Sequence, residues 1–74
     1  MKITYDPSVD AAYIKLVKGD EAASFGFSYV CDSAEVHGHI VLDFDVTERL
    51  IGIEVLQASQ KLRASLLDSS TRQE

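Results

Sequence analysis

The chain has 74 residues, 46% of them hydrophobic and 26% charged, and its 12 acidic residues outnumber its 7 basic ones. A chain of this length forms one domain with a thin core, because folding buries only about 60% of the unfolded surface. The net charge of −5 and the scattered lysines and arginines argue against nucleic acid as a direct partner, since phosphate contacts need clustered cations.

Alternating polar and apolar residues predict two short strands at the start of the chain, over residues 2–5 and 12–17. Asp6, Pro7 and Ser8 lie between them and are typical turn residues. Proline presets φ near about −65°, and an aspartate side chain can bond the backbone two residues further on.

A connection over residues 18–21 leads to a third predicted strand over 24–30. Phe25, Phe27 and Tyr29 recur at every second position of this strand, which places all three on one face. Three aromatics at this period are typical of core or cross-strand packing.

The middle of the chain predicts an irregular loop over residues 31–38 and two further strands over 39–45 and 50–56. Asp43 and Glu54 fall on the faces of these strands that alternation assigns to solvent. The apolar faces are formed by Ile40, Leu42, Phe44, Ile51, Ile53 and Val55.

After residue 56 the apolar period changes from two to that of a helix, which is predicted over 58–67 with Leu62 as its core anchor. Residues 69–74 are polar and are expected to be a frayed tail. The whole pattern predicts one α+β domain over residues 1–68. In it, an antiparallel meander of about five strands carries one C-terminal helix on one face.

Several motifs resemble a small bacterial family of unknown function, the YuzE-like DUF2283 family. The motifs are Tyr5-Asp6-Pro7 with Asp10-Ala11-Ala12-Tyr13-Ile14, Leu42-Asp43-Phe44-Asp45 with Leu50-Ile51-Gly52-Ile53-Glu54, and Ala58-Ser59. The resemblance implies a meander-plus-helix fold and supplies no activity and no catalytic residue. Relatives thought to lie beside small toxin-like genes imply a partner-binding, antitoxin-like role.

The chain departs from the family pattern at two turns. Thr47-Glu48 stands where the family commonly has Asp-Gly, and glutamate in a left-handed position costs about 1 kcal/mol. The hairpin is therefore expected to use another turn. Gln57 stands where relatives often have aspartate, a better N-cap, so the helix start is expected to be less well anchored.

Cys31, His37 and His39 are the nearest approach to a metal site. Two histidines two apart on an extended segment point the same way and could share an ion with the thiol. A structural zinc site takes four ligands in paired spacings, however, and no CxxC or HxxxH motif is present. Two exposed loop histidines and a buried thiol are the simpler interpretation, so no metal ligand is predicted.

Carboxylates offer a second candidate site, for Mg²⁺, Ca²⁺ or acid–base chemistry. They are Asp6, Asp10, Asp43, Asp45, Glu48 and Glu54. Turn formation and a solvated sheet face explain them more simply. Neither a metal site nor a catalytic carboxylate is predicted from them.

Residue types suited to nucleophilic catalysis are present, but no sequence motif indicates that they lie together. Ser33, His37 and Asp43 lack a GxSxG context, and Cys31 has no activating cation near it in sequence. The 4 glycines are dispersed and form no phosphate loop. No catalytic residue and no cofactor are predicted, and an enzyme is not expected.

The sequence therefore predicts a non-enzymatic protein-interaction domain that forms a homodimer, with a small protein as a further candidate partner. Tyr13, Val17 and Val41, on the face opposite the helix, are the predicted contact. The alternative is a metal- or ligand-binding module that uses the loop 31–39 or the aspartate turns.

The predicted location is the cytoplasm. The single cysteine allows no intramolecular disulfide, and a lone thiol fits a reducing compartment. No apolar run of 18 residues and no charged leader with an apolar core occurs, so neither a membrane span nor a secretion signal is expected.

Overall fold

The computed structural model describes residues 1–18 and 23–72. Within them the strands are β1 Lys2–Asp6, β2 Ala11–Lys15, β3 Phe25–Val30, β4 Ile40–Asp45, β5 Leu50–Leu56 and β6 Thr71–Arg72. The short helices are α1 Ser33–Val36, α2 Ala58–Lys61 and α3 Ala64–Asp68. The predicted connection over 18–21 lies, after Lys18, outside the described residues, as do the last two residues of the predicted tail.

The strands form one sheet in the order β3-β4-β5-β2-β1-β6. The five-stranded antiparallel sheet is confirmed, but β2 and β3 are not neighbours, so the expected simple meander is wrong. Strand β2 pairs with β5 instead, in a register that sets Ala12 against Val55 and Ile14 against Ile53. This pairing makes apolar residues of β2 and β5 direct cross-strand neighbours. In a consecutive strand order, β3 and β4 would lie between these two strands.

The core lies on one face of the sheet, beneath the C-terminal helices. Tyr5, Ala12 and Val55 come from adjacent strands, and Ala58 and Leu67 come from α2 and α3. Partly buried residues pack around this cluster: Ile40, Ile53 and Leu62. The small side chains of Ala12 and Ala58 at the centre of the cluster allow α2 to approach the sheet closely. Ala12 is 2% exposed and Ala58 is fully buried.

The single helix predicted over 58–67 is wrong, because the backbone of Leu62 and Arg63 is extended and separates α2 from α3. In a continuous helix, residues 58 and 67 would lie on opposite sides, since nine positions at 3.6 per turn amount to two and a half turns. The break lets Ala58 and Leu67 both reach the core. Leu62, the predicted anchor, is only partly buried.

The segment predicted as an irregular loop contains the one-turn helix α1. The Asp32 carboxylate caps it by accepting from the Ala34 N–H at 2.9 Å, and His37 ends it in a left-handed conformation with φ 52°. No helix of the described part of the chain is long and apolar enough to cross a membrane.

The expected frayed tail includes a short ordered pairing. Strand β6 runs parallel to β1, with Thr71 opposite Thr4 and Arg72 opposite Tyr5. Strand β1 is thereby covered along part of its outer edge, whereas β3 stands at the opposite end of the strand order.

Candidate functional site

Two of the candidate carboxylates accept hydrogen bonds from residues of the turns in which they lie. Asp6 accepts from the Ser8 hydroxyl at 2.6 Å and the Ser8 N–H at 3.0 Å. Asp45 accepts from the Thr47 hydroxyl at 2.6 Å and from the N–H groups of Thr47 and Arg49 at 2.8 and 2.9 Å. The Thr47 hydroxyl and the Arg49 N–H hold the pKa of Asp45 below its ordinary value. Both side chains do the work of an Asx turn.

Asp10 connects the first hairpin to the start of α2. Its Oδ1 accepts from the Tyr5 hydroxyl at 2.7 Å and the Ser59 N–H at 2.9 Å, and its Oδ2 accepts from the Ser59 hydroxyl at 2.7 Å. The Ala58 N–H donates to the Asp10 carbonyl. Hydrogen bonds, first from Tyr5 and then from Ser59, lower the pKa of Asp10.

These contacts correct the expectation of a weakly anchored helix start. Gln57 makes no side-chain cap, but Asp10, distant in sequence, binds the N–H groups of residues 58 and 59. The side chain therefore supplies from another element what an N-cap aspartate supplies locally.

Tyr13, Asp43 and Ser28 form a polar row across the other face of the sheet. The Tyr13 hydroxyl donates to Asp43 Oδ2 at 3.1 Å, and the Ser28 hydroxyl donates to Asp43 Oδ1 at 2.7 Å. The Tyr13 ring crosses β5 over Gly52, where a Cβ would lie 1.8 Å from the phenolic oxygen. Burial raises the pKa of Tyr13, and the bond to Asp43 raises it further, so the phenol is a hydrogen-bond donor rather than a base.

The candidate metal residues do not converge. His37 is exposed at the end of α1, and His39 is partly buried just before β4. The two histidines could share an ion only if the segment between them were extended. It is not extended, because the backbone of His37 is in the left-handed conformation. Cys31 is partly buried and free. Across residues 1–18 and 23–72, no three His, Cys, Asp or Glu side chains form a group that could hold a metal ion.

Strand β3 is the most exposed apolar part of the described structure, and all six of its residues are exposed. The exposed fractions are 60% for Phe25, 47% for Phe27, 58% for Tyr29 and 55% for Val30. We call these four residues the β3 edge. The segment from Ser24 to Val30 contains no charged residue.

The β3 edge is positioned by its pairing with β4. Phe27 stacks on Phe44 with ring centroids 4.9 Å apart, and Tyr29 lies opposite Leu42. A register shift between Phe25 and Phe27 interrupts the predicted alternation, so Phe25 lies opposite Asp45 and does not continue the row. Gly26 permits this bulge, since a Cβ there would lie 2.5 Å from the Asp45 carbonyl oxygen.

The sequence predicted the aromatic row and left core and cross-strand packing open; the structure shows cross-strand packing, with the row exposed. The available signal was the lack of any charge beside three aromatics. The aromatic residues are exposed because β3 is the last strand of the sheet, and local periodicity does not reveal the strand order.

These features define a small α+β domain whose carboxylates organise turns and whose open surface is an uncharged strand. Residues 2–59 match the family described as "Protein of unknown function (DUF2283)". The chain belongs to this family. The match includes all five antiparallel strands and both partners of the Asp10–Ser59 contact. No curated protein and no solved structure matches the chain.

Proposed function

We propose that this chain is a cytoplasmic protein-interaction domain, and not an enzyme, whose contact surface is the β3 edge. The observation that supports the proposal is the position of this strand at the end of the sheet with every residue exposed. An open strand offers a row of backbone donors and acceptors, to which a strand of another protein can add.

The two ends of the sheet support this choice by their difference. On the side of the sheet away from β3, strand β1 carries the charged residues Lys2 and Asp6 and is partly covered by β6. Charged side chains and a covering segment are both common ways of protecting a sheet edge. Strand β3 has neither charge nor proline. An apolar strand left open in this way is typical of a surface that a partner covers.

The arrangement of the acidic residues supports binding over catalysis. Asp6 and Asp45 are occupied by their own turns, and Asp10 by Tyr5 and Ser59. Asp43 lies between two hydroxyl donors. Each of these four carboxylates has hydrogen bonds that account for its position.

Affinity capture from the native host tests this proposal. Tyr29→Lys places a charge on the β3 edge, and Val9→Lys places the same charge on an exposed apolar residue in the first turn. We expect wild type and Val9→Lys to capture the same protein, and Tyr29→Lys to retain less than about a tenth of it, to be quantified by titration with the purified partner. A small toxin-like partner would make the role antitoxin-like. Equal capture by Tyr29→Lys would contradict the β3 edge as the contact.

A further inference from the structure

We infer that the strand that pairs with β3 is β3 of a second copy of this chain, antiparallel and related by a two-fold axis at Ser28. The inference rests on the proposed function and names its partner. Two copies would then share one continuous sheet, with β3 no longer at its edge.

The backbone of β3 is oriented for this pairing. Cys31 donates its N–H to the Ile40 carbonyl at 2.9 Å, and the register continues with Val30 opposite Val41 and Tyr29 opposite Leu42. In an antiparallel pair, the hydrogen-bonding groups of successive residues point to alternate sides. Tyr29 therefore bonds toward β4, and Ser28 and Val30 present their N–H and C=O groups to the open side.

The side chains fit the same register. When Ser28 faces its own copy, Phe27 lies opposite the partner's Tyr29, and Tyr29 lies opposite the partner's Phe27. These are non-hydrogen-bonded positions, where Cα atoms are about 4.5 Å apart and side chains make their closest cross-strand contacts. Phe27 already stacks on Phe44, so the aromatic contact extends across both copies.

The charge pattern favours a second copy over a charged partner. An isologous contact brings each surface against itself, so like charges on the strand would be set against each other. The chain carries a net charge of −5, but none of its charged residues lies between Ser24 and Val30. A partner recognised by opposite charge would require charges that this strand does not have.

The exposed area is also sufficient for a small dimer. A whole aromatic side chain carries about 150–250 Å², and the three aromatics of the β3 edge are 47–60% exposed. They leave about 250–400 Å² open on each chain. Doubled across the axis, and with Val30 and the strand backbone added, this approaches the roughly 1,000 Å² of a specific interface.

The contact first predicted, at Tyr13, Val17 and Val41, is less suited to a dimer. All three residues are partly buried, and the Tyr13 hydroxyl is bonded to Asp43 within the same chain. The β3 edge combines more open apolar surface with a strand backbone that, within residues 1–18 and 23–72, has a partner strand on one side only.

Solution mass tests the pairing through the residue on the axis. We expect wild type at micromolar concentration to have twice the 8.1 kDa mass of one chain. Ser28→Glu sets two like charges against each other beside the Asp43 carboxylates and should give the single-chain mass with an unchanged circular dichroism spectrum. Ser65→Glu, on the exposed surface of α3, should remain dimeric. A monomeric wild type, or a dimeric Ser28→Glu, would overturn the inference.

A disulfide tests the register independently. Across an antiparallel hydrogen-bonded pair the Cα atoms are about 5.5 Å apart, within the range of about 4.4–6.8 Å that a disulfide spans. In a Cys31→Ser background, Ser28→Cys should form an intermolecular disulfide under mild oxidation, and Ser65→Cys should not. Equal cross-linking of the two variants, or none at residue 28, would overturn the pairing at Ser28.

Solution mass and affinity capture together distinguish a failure of this inference from a failure of the proposed function. A monomeric wild type whose capture of another protein is abolished by Tyr29→Lys would overturn self-pairing and support the interaction domain. A wild type that neither dimerises nor captures a partner through β3 would overturn both.

Discussion

At the scale of single residues, left-handed backbone positions mark the turns of this domain. Asp10, His37, Glu48 and Gln57 have φ between 52° and 69°. The expectation that Thr47-Glu48 would select a different turn is wrong, because Glu48 occupies the left-handed position itself. Asp45 compensates by binding three donors of that turn, on residues 47 and 49.

Asp10 makes the stability of the domain dependent on pH. Its pKa in the folded state lies below the ordinary value of 3.8, chiefly because of the Tyr5 hydroxyl and then Ser59. A lowered folded pKa means that the unfolded chain takes up the proton first. The contribution of Asp10 is therefore fully present above about pH 5 and is lost as the pH falls through 3.8 toward the folded pKa.

We expect the free energy of unfolding of wild type to fall steeply below about pH 4, and that of Asp10→Asn to fall less steeply. Urea unfolding at a series of pH values measures both slopes. Titration of the Asp10 carboxyl by nuclear magnetic resonance in Tyr5→Phe should show a pKa closer to 3.8. Identical slopes for wild type and Asp10→Asn would contradict the role of this carboxylate.

At the scale of elements, the break between α2 and α3 decides which leucine anchors the C-terminal segment. Leu67 is 8% exposed and belongs to the core cluster, whereas Leu62 lies at the break and packs against the cluster from outside. Deleting a buried side chain costs its transfer free energy and leaves a cavity, and the cavity is smaller where solvent already has access.

We therefore expect Leu67→Ala to lower the free energy of unfolding by about 2–4 kcal/mol and Leu62→Ala by about half as much. Chemical denaturation of both variants at neutral pH, in the same buffer, gives the comparison. A greater loss in Leu62→Ala would indicate that the segment docks as the continuous helix that the sequence predicts.

The strands were predictable from sequence because alternation is a local signal and each strand has enough of it. Ile40, Leu42 and Phe44, for example, define β4 within one residue of its observed start. The helix break was not predictable, since Ala58, Leu62 and Leu66 fit a continuous helix equally well. Asp10 could be assigned to a turn, but its contact with Ser59 depends on how two distant elements meet.

At the scale of the whole molecule, strand order was the missing information. The pairing of β2 with β5 places the N-terminal hairpin on the far side of β5 and leaves β3 at the opposite end of the sheet. The same aromatic row would be buried in a central strand and is exposed in an edge strand. Local sequence cannot separate these cases, because both give the same period.

A thin core and an open strand together predict that stability depends on concentration. Assembly stabilises the folded state by mass action, and a hundredfold rise in concentration contributes about 2.7 kcal/mol per dimer, or about 1.4 kcal/mol per chain. For a domain of this size that corresponds to a rise in Tm of roughly 5–10 °C. We expect this rise for wild type in calorimetric scans and none for Ser28→Glu, which keeps the core but is expected to lose the two-fold contact. A Tm of wild type that stays constant over this range would show that the domain is stable without a second copy.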